Sequence, residues 1–106
     1  YWTGTVYTTN RRVWEHDKPF KEYLQKVRAY AIDMETATIF TVGFYNKIPT
    51  GALLLVSDQP MIPEGVKTEE SDKAVTAQYV ENHLKIGIDS LKQLMNDGMT
   101  VRHLKF

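Results

Sequence analysis

Two acidic clusters in this chain stand where an apolar run gives way to polar chain. Asp33–Glu35 follows the short apolar run 29–32, and Ser57–Asp58 follows the continuous apolar run 52–56. Carboxylates placed there could accept hydrogen bonds from sugar hydroxyls, and a protonated carboxyl could act as a general acid. The alternative is purely local, because Asp and Ser cap helices and turns and negative charge favours a helix N-terminus. The residues alone leave both interpretations open.

The elements that must position these clusters alternate along the chain. Strands are predicted at 3–8, 29–32 and 52–56, and the last of these, apolar throughout, is typical of a strand covered on both faces. Helices are predicted from a cap at Asp17 with Pro19 in the first turn, from Glu35 to about Tyr45, and from a cap at Ser71 over Asp72 to about Asn96. This order predicts an α/β layered sheet, in which ligands bind beyond the carboxyl ends of the strands.

The composition of the 106 residues fits one small globular domain or part of a larger one. Thirteen basic and thirteen acidic residues cancel, which gives no electrostatic case for a nucleic-acid or membrane partner. No apolar run approaches ~18 residues and no signal-peptide pattern is present, so we expect a cytoplasmic protein. The three histidines, His16, His83 and His103, form no metal-ligand pattern and there is no cysteine, so we expect no metal and no cofactor. Because the chain opens on a strand-like run at Tyr1, we expect an upstream portion to be missing.

Two further segments are weaker candidates. Arg11 and Arg12 lie near Trp14; such a pair is usually surface charge, but beside an aromatic it could hold a phosphate or stack on a base. The loop 59–70 is longer than a minimal connection, which is typical of a lid or binding segment. Most of its charges are expected to form a solvated face, with Lys67 as a possible contact to the site.

Five segments together resemble known proteins. Residues 31–37 (AIDMETA) resemble the ribose-binding motif of the nucleoside phosphorylase and nucleosidase superfamily, an acidic-Met-Glu triplet followed by a small residue and Ala. Residues 55–58 (LVSD) resemble its strand-end motif, the gap between the two motifs agrees, and the resemblance extends through 86–91. Within this superfamily, residues 1–15 and 61–71 are similar to the AMP nucleosidase family almost letter for letter.

The resemblance implies a three-layer α/β/α sandwich, of which residues 1–106 would form the C-terminal portion of one catalytic domain. It implies hydrolysis of AMP to adenine and ribose 5-phosphate by a homo-oligomer, hexameric in that family, without a metal. The alternatives are a purine nucleoside phosphorylase or adenosine-type nucleosidase and, from another class, a non-catalytic nucleotide-sensing domain. We expect the isolated segment to be inactive, since the 5′-phosphate site is expected upstream or on a neighbouring subunit.

The resemblance also implies roles for single residues. Glu35 matches the carboxylate that binds the ribose hydroxyls, Met34 the methionine beside the sugar, and Asp33 their acidic neighbour. Asp58 matches the acid that protonates the purine, and Ser57 its companion.

The chain departs from the superfamily's pattern at two places. An arginine that assists the catalytic Asp in bacterial purine phosphorylases falls near Thr76, so Lys67 or Lys73 would have to compensate. A base-stacking phenylalanine falls near Arg12, so Arg12 or Trp14 would have to take its place. Both departures fit a relative that uses water instead of phosphate.

Overall fold

The computed structural model describes residues 2–62 and 69–97. In chain order the elements are β1 (Val6–Thr8), α1 (Lys18–Lys26), β2 (Ala31–Asp33), α2 (Thr36–Tyr45) and α3 (Glu69–Asn96). The described residues fall into two compact units, which we call the strand unit (2–52 and 58–62) and the long-helix unit (53–57 and 69–97). No helix within the described ranges is long and apolar enough to cross a membrane.

The strand unit is built on a parallel pair of short strands. β1 pairs with β2 so that Val6 lies beside Ala31 and Thr8 beside Asp33. The ladder continues one step further, where the Thr9 N–H donates to the Asp33 carbonyl at 2.8 Å. Parallel neighbours need a crossover connection, which α1 supplies. The predicted α/β class is therefore confirmed for this unit, and both strands end at the same edge of the sheet.

Helix α1 begins as its sequence predicts. The Asp17 carboxylate accepts the Phe20 N–H at 3.0 Å, and Pro19 lies in the first turn, where its missing N–H costs nothing. The helix buries Leu24, which is 2% exposed. Trp14, 7% exposed, packs edge-on against Phe20 with ring centroids 5.9 Å apart. These apolar contacts form the core beneath the crossover.

The predicted second helix is confirmed, and it ends in a Schellman turn. Lys47 follows the helix with a φ of 57° and donates its N–H to the Phe44 carbonyl, while the Ile48 N–H donates to the Gly43 carbonyl at 2.8 Å. The turn after α1 has the same form around Arg28, whose φ is 53°. In both turns a basic residue occupies the left-handed position that usually favours glycine, and its positive charge suits the negative end of the helix dipole.

The prediction of a buried strand at 52–56 is wrong for the described chain. The segment has no regular secondary structure, and Leu53 and Val56 are 47% and 60% exposed. The Leu53 carbonyl lies 3.1 Å from Nε2 of His83 instead of in a sheet ladder. The apolar run correctly marks residues that favour burial, but a strand also needs backbone partners. The only described ladder joins β1 to β2.

The last helix begins earlier than predicted. It starts at Glu69, so Ser71, which was predicted to precede the helix, lies within it. Two glutamates open the helix, which favours that start because acidic residues suit a helix N-terminus, and Lys73 pairs with Glu69 at 2.5 Å. Its predicted apolar face is only partly covered: Val75 and Val80 are half-buried, whereas Tyr79, Leu84, Ile88, Leu91 and Leu94 are exposed.

Candidate functional site

A hydrogen-bonded cluster joins the ends of the two strands to the start of α2. The Asp33 carboxylate accepts the Thr8 hydroxyl at 2.6 Å through Oδ1 and the Thr36 N–H at 2.8 Å through Oδ2. The Thr36 hydroxyl donates to the same Oδ2. In turn, Oγ1 of Thr8 accepts the Ala37 N–H at 3.0 Å. We call Thr8, Asp33, Thr36 and Ala37 the strand-tip cluster.

The strand-tip cluster forms because a helix begins with N–H groups that lack intrahelical partners. The first two N–H groups of α2 belong to Thr36 and Ala37, and a side chain of each strand accepts one of them. Thr36 is only 6% exposed, so its polar atoms need partners inside the protein. The capping interpretation is therefore confirmed for Asp33. It is not confirmed for Glu35, which precedes the helix without capping it.

Met34 and Glu35 project from the turn that the strand-tip cluster closes. Both residues are exposed, with Met34 at 42%. Oε2 of Glu35 accepts the Met34 N–H at 3.2 Å, which draws the carboxylate back over the turn. The pair thus lies at the carboxyl end of β2, where ligands of α/β sheets bind. An exposed carboxylate and an exposed thioether at this edge are accessible to a polar ligand.

Ser57 and Asp58 are both half-buried, and each makes non-covalent interactions with other groups. Asp58 belongs to the strand unit, whereas Ser57 belongs to the long-helix unit. Just beyond Asp58, the Pro60 carbonyl accepts a hydrogen bond from Nζ of Lys21 at 2.7 Å. This bond ties the segment that follows Asp58 to α1. That Glu35 and Asp58 converge on one cleft stays a prediction.

The loop between β1 and α1 (residues 9–17), which we call the early loop, holds the two base-stacking candidates, Arg12 and Trp14, in different environments. Trp14 is a core residue, and its buried place argues against a stacking role, because a ring only 7% exposed offers little surface to a base. Arg12 is exposed. Its neighbour Arg11 has a structural partner, since its guanidinium pairs with Asp17 at 2.5 Å and lies 5.1 Å from the centroid of the Phe20 ring. Arg12 is therefore the candidate in this loop that a ligand could reach.

The charge of Asp17 is stabilised by two donors. The Phe20 N–H contributes most and the Arg11 guanidinium adds to it, and together they hold the pKa of Asp17 below its usual value of 3.8. The carboxylate is thus an ionised cap on α1. Its role is structural, since it serves the helix that supports the strand pair.

Lys67 and Lys73 are the two lysines predicted to compensate for a missing arginine. Lys67 lies outside the described residues. Lys73 is exposed and paired with Glu69, so it is engaged on the surface of its own helix. Thr76, which the resemblance predicted to stand in place of an assisting arginine, is exposed on the same helix. Among residues 2–62 and 69–97, no group of His, Asp and Glu side chains could hold a metal ion.

Sequence reasoning missed Thr8 and Lys21. A threonine at a strand end and a lysine on a helix are common, and neither belongs to a motif. A signal for Thr8 exists only once the register of β1 against β2 is known, because that register places Thr8 beside Asp33.

Comparison with known proteins defines the class to which this chain belongs. Residues 1–92 match the model of the phosphorylase superfamily, and the chain is a member of that superfamily. It is similar to the AMP nucleosidase of Escherichia coli strain K12 and to that of Escherichia coli O157:H7, each 38% identical over 97 residues. The match covers 91% of this chain but 20% of either relative, so the chain spans about a fifth of their length. No solved structure matches the chain significantly. The family resemblance predicted from the motifs is confirmed.

Proposed function

We propose that the protein hydrolyses the N-glycosidic bond of AMP, releasing adenine and ribose 5-phosphate. The observation that carries the proposal is the exposed Met34–Glu35 turn at the carboxyl edge of the strand pair, in a chain of the phosphorylase superfamily. The similarity to two AMP nucleosidases supports AMP as the substrate. We further propose that the chain is the C-terminal portion of one catalytic domain, a three-layer α/β/α sandwich, that works as a cytoplasmic homo-oligomer.

In this proposal Glu35 holds the sugar. Its carboxylate accepts hydrogen bonds from the ribose hydroxyls, and such charge-assisted bonds are stronger than neutral ones. Met34, exposed beside it, packs on the apolar face of the ribose. Holding the sugar orients C1′ toward water and keeps the base in one position, so the reacting atoms meet with less loss of entropy.

Asp58 serves as the general acid. Its carboxyl proton passes to N7 of the purine while the bond between C1′ and N9 breaks, and the bonding electrons leave with the base. The ribose is left as an oxocarbenium-like species, which water attacks at C1′, and the proton that the water loses restores the Asp58 carboxyl. The sum is one AMP and one water converted to adenine and ribose 5-phosphate. Arg12, exposed in the early loop, is the candidate to contact the base, with Ser57 adjacent to the acid.

The role of Asp58 is tested with Asp58→Asn in the full-length protein. Because a general acid contributes roughly 10²–10⁴-fold, kcat for adenine release should fall by at least about 100-fold, while the protein still binds AMP. Asp89→Asn is the matched control, since Asp89 carries an exposed carboxylate paired with Lys85 on α3, and such surface pairs contribute little. Near-normal turnover by Asp58→Asn would reject the role.

A second candidate function is phosphorolysis, which the membership of the chain in the phosphorylase superfamily favours. The protein would then transfer ribose to phosphate. Incubation with AMP or adenosine, with and without phosphate, separates the two reactions. Ribose 1-phosphate from adenosine, or ribose 1,5-bisphosphate from AMP, formed only with phosphate indicates phosphorolysis. Ribose 5-phosphate formed from AMP without phosphate indicates hydrolysis. Tight binding of AMP without adenine release would indicate a nucleotide sensor.

A further inference from the structure

We infer that Thr8 and Asp33 are positioning residues that hold Glu35 in place for the sugar, an inference that rests on the proposed function. Asp33 then acts on the substrate only through the turn it closes. Thr8, on the neighbouring strand, contributes to the same positioning of Glu35, although it belongs to no recognised motif.

The Asp33 carboxylate is occupied by groups of the protein. The Thr8 hydroxyl donates to Oδ1, and the N–H and hydroxyl of Thr36 donate to Oδ2. The residue is also half-buried. A carboxylate that already accepts three hydrogen bonds has little capacity left for ribose hydroxyls. Its chemistry in this structure is to hold β1, β2 and α2 together.

The turn that carries Met34 and Glu35 is closed at both ends. Asp33 precedes the turn and is paired in the β1–β2 ladder. Thr36 follows the turn and donates its N–H to the Asp33 carboxylate. Between them, the Glu35 carbonyl accepts the Ile39 N–H at 3.1 Å as part of α2, whereas the Glu35 side chain is exposed and bonds to the adjacent Met34 N–H. The direction in which Glu35 projects therefore depends on the two flanks. A shift of about 1 Å at such a position can cost about 100-fold in rate.

Thr8 is suited to this role because a hydroxyl can donate and accept at the same time. It donates to Asp33 and accepts from Ala37, linking positions 25 and 29 residues away in the chain. Valine has nearly the same shape but can do neither, so Thr8→Val leaves the Ala37 N–H without this acceptor and Asp33 without one donor. Serine keeps the hydroxyl and loses only a methyl group. The two substitutions therefore separate hydrogen bonding from packing.

The experiment compares Thr8→Val with Thr8→Ser in the full-length protein and probes the two halves of the substrate separately. Ribose 5-phosphate and adenine are each titrated as ligands, and kcat and KM are measured with AMP. We expect Thr8→Val to weaken ribose 5-phosphate binding by about 10-fold, the effect of losing a hydrogen bond near a charged group. Adenine binding should change by less than about twofold, and Thr8→Ser should stay within about threefold of wild type for both ligands.

A double-mutant cycle with Glu35→Gln shows whether Thr8 acts through Glu35. If it does, Thr8→Val has little further effect on ribose 5-phosphate binding once Glu35 is changed, so the two losses do not add. Asp33→Asn, which keeps the shape and one acceptor oxygen, provides a second route should Thr8→Val fold poorly, and it too should affect the sugar half alone. Additive losses in the cycle would overturn the inference.

The remaining outcomes are distinct for the two proposals. If wild type hydrolyses AMP but Thr8→Val and Asp33→Asn bind ribose 5-phosphate normally, the positioning role is wrong and the proposed function stands. Equal weakening of adenine and ribose 5-phosphate by these variants shows a purely structural role and also overturns the inference. If wild type binds ribose 5-phosphate without hydrolysing AMP, the proposed function fails and the cycle still decides the positioning role. Wild type that neither binds ribose 5-phosphate nor hydrolyses AMP overturns both.

Discussion

Gly43, buried in the last turn of α2, is a position where one added methyl group has a defined effect. A Cβ built there lies 2.3 Å from Cγ2 of Thr50, 3.3 Å from its Oγ1 and 3.1 Å from the Ile48 carbonyl oxygen. Carbon atoms pack best at about 3.5–4.0 Å, so the methyl group and Thr50 cannot both keep their places. Gly43→Ala therefore forces Thr50 to move.

The size of the effect follows from two opposing contributions. Alanine gains about 1 kcal/mol over glycine within a helix, and overpacking costs about 1–3 kcal/mol. Thr50 is exposed and its side chain can turn, which lowers the cost. The Ile48 carbonyl is backbone of the Schellman turn and moves less easily, because the N–H of that residue is bonded to the Gly43 carbonyl. We expect a net loss of about 1 kcal/mol in the free energy of unfolding.

The clash can be removed without touching the helix. Thr50→Ser deletes Cγ2, the atom nearest the added methyl group, and by itself should change stability by less than about 0.5 kcal/mol because the site is exposed. In that background Gly43→Ala should be neutral or stabilising by up to about 1 kcal/mol. The predicted coupling between the two substitutions is therefore at least about 1 kcal/mol.

The assay is urea unfolding of the wild type, the two single variants and the double variant, with midpoint and slope determined for each. Equal slopes show that the unfolded states are comparable, so the free energies can be compared. Effects that add to within about 0.5 kcal/mol would refute the reasoning, since they would show that Thr50 is not what the methyl group meets. A Gly43→Ala variant more stable than wild type would do the same.

Two further predictions concern the ends of helices. Lys47→Gly should raise the free energy of unfolding by about 0.5–1 kcal/mol, because glycine adopts the left-handed conformation at φ 57° without strain, whereas Lys47→Ala should give no gain; urea midpoints of both variants decide, and a gain with alanine would contradict the explanation. Asp17 has a lowered pKa, so its ionised form contributes stability that is fully present above its usual value of 3.8 and is lost as the pH falls through the lower pKa of the folded state. Asp17→Asn keeps the cap without the charge, so its deficit against wild type near neutral pH should shrink as the pH falls below 3.8, while Asp17→Ala should stay less stable at every pH. A deficit of Asp17→Asn that is constant with pH would exclude the ionised cap.

Most signals that act over a few residues predict the structure correctly, with the start of the last helix as the exception. Asp17 and Pro19 predict the start of α1, and the structure confirms the cap. The apolar run before Asp33 predicts β2 to within two residues at either end, and the change from strand to helix around Glu35 is confirmed. The start of α3 is predicted three residues too late, at Asp72, because several residues in a row can begin a helix, and the structure starts it at Glu69.

Burial and partnership were less predictable. The run 52–56 is apolar enough for a covered strand, but in the described chain it pairs with neither β1 nor β2. In the sequence, nothing distinguishes Trp14 from an exposed aromatic residue that could bind a base, yet in the structure it packs against Phe20. In both cases the residue type predicts that the side chain favours burial. Whether it is buried in a core, in a sheet or against a ligand depends on the neighbours that the fold provides.

The family, the α/β class and the positions of the two acidic motifs follow from the amino-acid sequence alone, because motif spacing, capping residues and hydrophobic runs are local properties. The tertiary structure decided which groups meet. Thr8 and Asp33, 25 residues apart, form a hydrogen bond because the register of two parallel strands places them side by side, and Lys21 reaches Pro60 across 39 residues. The number of residues between two such partners does not predict their contact, because chain length limits only the largest distance between them. The packing of the strands and α1 determines which residues lie close together.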